Sequence, residues 1–165
     1  MSSQTPVVKV ELKRADAAEL IAANPVLSGS ALIKALGAAR ATVLAGSVLR
    51  RYQDKLVLMQ QGEEGSSLFF VMKGDVRIFA RRDRDSAELG VVHMGEVLGE
   101  GEVLAGDGGR RCSAVAQGQV DVLELPRAVL LVGGKLPPAL VAMLETVKKE
   151  RMKALDEMSD FLNRW

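Results

Sequence analysis

Gly95-Glu96-Val97-Leu98-Gly99-Glu100-Gly101-Glu102-Val103-Leu104-Ala105-Gly106-Asp107-Gly108-Gly109-Arg110-Arg111-Cys112-Ser113-Ala114-Val115-Ala116 is the stretch around which the chain is read. A glycine-rich turn presents one carboxylate, Glu100. Arg110 supplies a guanidinium at the head of a β-like run. Between them, Glu102 to Ala105 is expected to form one short helical turn. These parts suit a small phosphorylated sugar. Glycine lets a backbone approach a ligand closely. The N–H groups at a helix start favour an anion. Arginine grips phosphate through a bidentate fork. An ionised carboxylate only accepts hydrogen bonds, so it suits a sugar hydroxyl.

At these residues the chain resembles the cyclic nucleotide-binding domain family. The phosphate-binding cassette of that family runs apolar-Gly-Glu, then a short apolar helix, a loop, and Arg followed by small residues. Leu98-Gly99-Glu100, Val103-Leu104 and Arg110 stand at those positions. Upstream, Gln61-Gly62-Glu63-Glu64-Gly65-Ser66-Ser67-Leu68-Phe69-Phe70-Val71-Met72-Lys73-Gly74-Asp75-Val76 is similar to the family's first hairpin and following strands. The resemblance extends from Asn24 to Trp165. It implies that Glu100 and Gly99 hold the ribose and Arg110 the cyclic phosphate, with the N–H groups near Glu102, Val103 and Leu104. It implies an apolar floor of Ile78, Leu89, Val92 and Leu98, and a small residue, Cys112, turned toward the ligand. Two positions depart from the family. Gly101 stands where Leu or Ile is usual, which loosens the short helix. Arg111 stands where Ala, Ser or Thr is usual, which adds charge where purine selectivity is often set.

Bulk properties narrow the function classes. The 165 residues suit one domain with room for a real core, and a hydrophobic content of 48% argues against disorder. The 22 basic and 21 acidic residues leave a net charge of +1, which gives no electrostatic footprint for nucleic acid. No secretory signal opens the sequence and no apolar run reaches the length of a membrane span. The one cysteine, Cys112, has no intramolecular partner, so a cytoplasmic setting is expected.

Local patterning divides the chain into an extension at 1–23, a β-roll at 24–136 and a C-terminal helix at 137–165. In the extension, 7–12 alternates like an edge strand, and Asp16 is expected to cap a helix from Ala17 to Ala23. A mobile arm, a partner-binding arm and a packed arm are all open. Ser28 or Ser30 is expected to cap one helix running to about Leu44. Short strands follow at Val48–Tyr52, Leu56–Met59, Leu68–Met72, Val76–Arg81 and Ala87–Met94. Lys73-Gly74-Asp75 is expected as a turn between two of them. A last hairpin, Ala114–Leu125, is expected to turn at Gln117-Gly118-Gln119. Leu68 to Met72 is apolar at every position, as in a strand covered on both faces. The whole is α+β, an antiparallel, jelly-roll-like β-roll of about eight strands with an N-terminal helix and C-terminal helices. Pro126 is expected to start a short helix, Arg127 to Val132. A long helix from Pro138 to Asn163 carries an apolar stripe, interrupted by the charges of 148–151.

No nucleophile elbow, phosphate loop or histidine pair is present, so no catalytic set and no metal site is expected, and the chemistry is recognition. Read singly, Glu100 is a loop carboxylate, Arg110 a surface cation, His93 an exposed turn residue and Cys112 an inert buried thiol. Arg111 reads as an outward residue or a neighbour of a phosphate. Read together at the family's spacing, they imply a stand-alone sensor of a cyclic mononucleotide, cAMP ahead of cGMP, signalling through its C-terminal helix to a protein partner. Transcription regulators of the family carry a helix-turn-helix after the long helix, and none is expected before the end at Trp165. A homodimer is expected through the long helix, with Phe161, Leu162 and Trp165 at its contact. The competing arrangement folds Phe161 and Trp165 over the purine as a lid. The alternative of a different class is a scaffold module with the same fold and a pocket that binds nothing.

Overall fold

The structure, a computed structural model, describes residues 9–12, 14–106 and 108–163, and of 9–12, 14–16, 82 and 158–163 the backbone alone. Seven strands and seven α-helices follow in the order β1 (Lys9–Leu12), α1 (Arg14–Ala23), α2 (Pro25–Ser28), α3 (Ala31–Leu36), α4 (Arg40–Ala45), β2 (Val48–Tyr52), β3 (Val57–Met59), β4 (Leu68–Arg82), β5 (Asp85–Val92), β6 (Val97–Leu98), α5 (Glu100–Ala105), β7 (Ser113–Leu125), α6 (Arg127–Leu130) and α7 (Pro138–Asn163). The antiparallel sheet runs β1-β2-β7-β4-β5, with β3 paired to β7 and β6 to β4. This is the α+β roll with flanking helices that the resemblance implies.

Strand alternation builds two cores, one on each face of the sheet. Leu68, Phe70 and Met72 of β4 and Leu123 and Leu125 of β7 face the helices, packing with Leu32, Leu36, Leu140 and Leu144. Phe69 and Val71 of β4 and Val120 and Val122 of β7 face the roll interior with Leu98, Ile78 and Cys112. The continuous apolar run at 68–72 is therefore covered on both faces, as its composition predicts. Ala17 and Ile21 of α1 sit in the helix-side core, so this helix is packed. Leu140 and Leu144 have no exposed surface, and burying each contributes about 1.5–3 kcal/mol. They anchor the first two turns of α7, and the helix also packs against α5 and β5.

Several local expectations are corrected. The helix expected from Ser28 or Ser30 to about Leu44 is broken. Ser30 does cap α3, its Oγ accepting from the Ile33 amide, but Gly37 takes φ 52 and the chain re-forms as a 3-10 turn before α4. Helix α1 starts at Arg14, so Asp16 lies inside the first turn, not at the cap. Lys73-Gly74-Asp75 is not a turn. β4 runs through it with register shifts against β7, which runs through Gln117-Gly118-Gln119 in the same way. Each strand holds the other straight where isolated turn chemistry favours reversal. Helix α6 ends at Leu130, two residues earlier than expected, and 132–135 closes on itself by a bridge between Val132 and Lys135. Val7 and Val8, and the side chains of Phe161, Leu162 and Trp165, lie outside the described residues. Among the described residues no helix is long and apolar enough to cross a membrane.

His93 is exposed in the turn after β5, and its Nδ1 lies 2.8 Å from Asp75 Oδ1. That hydrogen bond raises its pKa above the ordinary 6.5. A raised folded-state value means the protonated form is favoured by folding. Its contribution is complete below the unfolded value and is lost as pH rises through the folded one. A proton NMR titration of this lone histidine is expected to show a midpoint above 6.5, and Asp75→Asn is expected to bring it down toward that value. An identical midpoint in both proteins refutes the pairing.

Candidate functional site

Helix α5 is the centre of the site, and the glycines flanking it explain its form. Gly99, its N-cap, stands at φ 89. A Cβ there would lie 2.7 Å from the Ser67 carbonyl oxygen and 2.8 Å from Arg110 Nη1. Only glycine lets the chain turn into the helix beneath that arginine. At the other end Gly106 stands at φ 85 and its amide donates to the Glu102 carbonyl. Arg127 Nε adds a bond of 2.7 Å to the Val103 carbonyl, so the helix end is capped from α6. The Val103 amide already donates to the Gly99 carbonyl. The amides of Gly101 and Glu102 precede that first helical bond.

Arg110 is placed by the upstream glycine motif. Its amide donates to the Glu63 carbonyl at 2.7 Å and its own carbonyl accepts from the Gly62 amide at 2.8 Å. A Cβ on Gly65 would come within 2.9 Å of Arg110 Nε, so this glycine clears the path of the side chain. Arg110 is 5% exposed. Nη1 donates to Glu102 Oε1 and Nη2 to the Ser67 carbonyl, each at 3.0 Å. The cation also lies 5.5 Å from the centre of the Phe69 ring.

Glu100 is 7% exposed. Burial pushes its carboxyl up from the ordinary value, and the nearby Arg151 guanidinium works against that. Arg151 Nη1 donates to Glu100 Oε1, and Arg151 Nη2 donates to the Val97 carbonyl at 2.7 Å. In the sequence, 148–151 reads as a charged interruption of the stripe, and Arg151 does not stand out within it. The structure turns this residue inward. Lys148, Arg151, Met152 and Leu155, at i, i+3, i+4 and i+7, face the cassette as one stripe. That spacing is the available signal, because it sets Arg151 on the same helix face as Met152 and Leu155.

A pocket of about 30 Å³ lies between α5 and α7, lined by Gly99, Glu100, Gly101, Glu102, Arg111 and Cys112, with Ile78 beneath and the α7 stripe above. A second cavity of about 680 Å³ opens between β5 and α7, lined by Ile78, Leu89, Val92, Val97, Met143 and Val147, with Lys34 and Arg151 at its edge. The structure thus gathers most of the sequence-derived site residues but distributes them. Arg110 sits behind the small pocket, bonded to Glu102. Leu98 and Val103 are fully buried in the two cores, and Leu104 is half-buried against the helix-side core. Arg111 is exposed, its Nη1 3.5 Å from Met152 Sδ. Cys112 is buried, and burial pushes its thiol up to about 11. Thiolate is scarce at that value, which fits an inert thiol. Among the described residues no group of three or more His, Cys, Asp and Glu could hold a metal ion.

Gly101, one of the two departures from the family pattern, has nothing within 4 Å of where a Cβ would stand. Its backbone is already helical. Gly101→Ala is expected to raise stability by up to about 1 kcal/mol through helix propensity, read from urea unfolding. A loss of that size would show that the space is not open.

No curated protein matches the chain. A cAMP-bound regulatory domain of Toxoplasma gondii PKA superposes with a TM-score of 0.67 at 20% identity, over 79% of this chain and 49% of that one. The catabolite activator protein of Thermus thermophilus superposes with a TM-score of 0.64 at 27% identity, over 81% and 63%. The sensor domain of the regulator DNR from Pseudomonas aeruginosa gives 0.59 at 16% identity, over 88% and 92%. The chain spans about half of the first of these and under two thirds of the second. The cyclic nucleotide-binding domain profile matches residues 49–132, half of the chain, from the first strand after the N-terminal helices through the cassette to α6. With the glycine-framed helix, Glu100 and Arg110 inside that match, the chain belongs to the cyclic nucleotide-binding domain family.

Proposed function

We propose that this chain is a regulatory sensor that binds a cyclic mononucleotide, cAMP ahead of cGMP, and passes the signal through α7 to a protein partner. One observation carries the reading. Glu100, Glu102 and Arg110 are all buried around a single helical turn. Ionised groups are costly to desolvate, and a fold that needed only packing would be served as well by apolar residues there. In this reading the phosphate meets Arg110 and the amides of Gly101 and Glu102. The ribose hydroxyl takes Glu100, and the base enters the cavity over Ile78, Leu89 and Val92. That cavity is within the size range of small-molecule sites, roughly 300–1,000 Å³.

The scaffold reading has an observation of its own. The cassette pocket, about 30 Å³, is too small for a nucleotide in this conformation. Thermal unfolding separates the two. A cyclic nucleotide at 100 times its dissociation constant adds about 2.7 kcal/mol, a midpoint rise of about 5–10 °C for a chain of this size. An unmoved midpoint with millimolar cAMP, cGMP and cyclic dinucleotides decides for the scaffold.

A further inference from the structure

Strand β7 pairs with β3 on one side and with β4 on the other. Its ladder with β4 begins at Ser113, opposite Phe79. β4 runs on past that point to Arg82, and the same register carried forward would set Arg111 opposite Arg81. Arg111 does not take that place, because the chain at 110–112 has left the sheet. Arg110 is bonded into the cassette, and Arg111 and Cys112 line the small pocket. In an antiparallel ladder a residue exchanges both its N–H and its C=O bonds with one partner. The Arg81 amide and carbonyl would otherwise face a gap beyond the end of β7.

Gln61, two residues past the end of β3, fills that gap. Its Oε1 accepts from the Arg81 amide at 2.7 Å, and its Nε2 donates to the Arg81 carbonyl at 2.9 Å. The amide can only donate and the carbonyl only accept, so the orientation of the carboxamide is fixed. The Gln61 amide in turn donates to Ser113 Oγ at 2.9 Å. One half-buried residue thus closes across the first residue of β7. The two residues that follow it hold the Arg110 backbone, through the Gly62 amide and the Glu63 carbonyl.

We propose that Gln61 is the positioning residue of Arg110. Its carboxamide replaces the Arg111 peptide as the partner of Arg81, which frees 110–112 from the ladder and anchors the 62–63 segment that grips Arg110. This rests on the sensor reading above, in which Arg110 meets the phosphate. Gln61 touches neither the guanidinium nor the ligand and acts through backbone alone. A small rotation of the Arg110 backbone is magnified at the end of its long side chain, and a forked contact to phosphate is sensitive to direction.

The test is Gln61→Met in the full chain, read by calorimetric titration with cAMP and 2′-deoxy-cAMP and by hydrogen exchange at the Arg81 amide. Methionine keeps the length of the side chain and removes the donor and the acceptor. Gln61→Glu is the milder lesion, losing only the donor to the Arg81 carbonyl, and shifts in the same direction are expected from it. The Arg81 amide is expected to exchange faster in the variant than in the wild type. cAMP is expected to bind roughly 3- to 13-fold more weakly, the equivalent of half a charge-assisted contact to phosphate. The ratio of cAMP to 2′-deoxy-cAMP affinity, which Glu100 governs, is expected to stay at its wild-type value. Gln60→Met, at the exposed neighbour, is expected to change none of these readouts. Wild-type affinity together with faster exchange at Arg81 overturns the positioning role. A ratio that shrinks along with the affinity overturns it too, and makes Gln61 a general support of the cassette. Equal exchange at Arg81 in both proteins overturns the pairing itself. Absence of cAMP binding by the wild type, with faster exchange in the variant, overturns the sensor reading and with it the positioning role, while the pairing stands.

Discussion

Arg110→Ala is expected to lose both stability and ligand binding, and Glu102→Gln in the same chain is expected to restore only the first. Arg110 is buried against a buried Glu102 and the Ser67 carbonyl. Removing one member of such a pair leaves an uncompensated charge in the interior, which costs about 3–5 kcal/mol. Neutralising Glu102 removes that penalty, so the double variant should recover most of the unfolding free energy in urea. Binding behaves differently. A charge-assisted contact to phosphate is worth about 1.5–3 kcal/mol, on the order of ten- to several-hundred-fold in affinity. Glu102→Gln does nothing to replace it. Calorimetry of the double variant should therefore show a stable fold with weak binding of cAMP. Recovery of wild-type affinity in the double variant would refute phosphate binding by Arg110 and leave it a structural ion pair.

Gly99→Ala is expected to be the most damaging single methyl group in the cassette. The position stands at φ 89, where an L side chain is strained at roughly 1–3 kcal/mol. The new Cβ would also press on the Ser67 carbonyl at 2.7 Å and on Arg110 Nη1 at 2.8 Å. One of those atoms is backbone of the segment leading into β4, so relief by a side-chain rotation alone is blocked. The fold is expected to lose several-fold more stability than it gains from Gly101→Ala two residues away, and Arg110 is expected to leave its bonds. Urea unfolding of the two variants side by side checks the contrast. Equal effects would mean that the turn into α5 tolerates a side chain and that its glycine is incidental.

The two substitutions differ because of backbone geometry that a residue type only partly announces. Both positions are glycine in a glycine-rich run, and the family resemblance marks Gly101 as the unusual one. The structure makes Gly99 the constrained one and Gly101 the free one. The same division runs through the fold. Leu68 to Met72 declares a strand covered on both faces, because every position is apolar and period-two alternation then fills both cores. Lys73-Gly74-Asp75 and Gln117-Gly118-Gln119 read as turns because their composition is that of turns. They run on as irregular strand because β4 and β7 pair across them, and pairing partners 40 or more residues apart are invisible to local pattern.

The sequence by itself determined the family, the α+β roll and a short helix in the cassette, which the structure begins at Glu100 rather than at Glu102. Each of these rests on local signals: glycines at turns, apolar alternation, and a carboxylate and a guanidinium at a short spacing. Tertiary structure alone decided which groups those charges meet. Glu102 becomes the partner of Arg110 because the 61–65 loop holds the Arg110 backbone from both sides and aims its side chain back at α5. Arg151 becomes the partner of Glu100 because Leu140 and Leu144 seat the start of α7 in the helix-side core, and helical periodicity then carries one cation onto a buried carboxylate. A side chain's charge is written in the sequence. Its counter-ion is fixed by packing, since a buried charge is tolerated only where the fold brings an opposite one within reach.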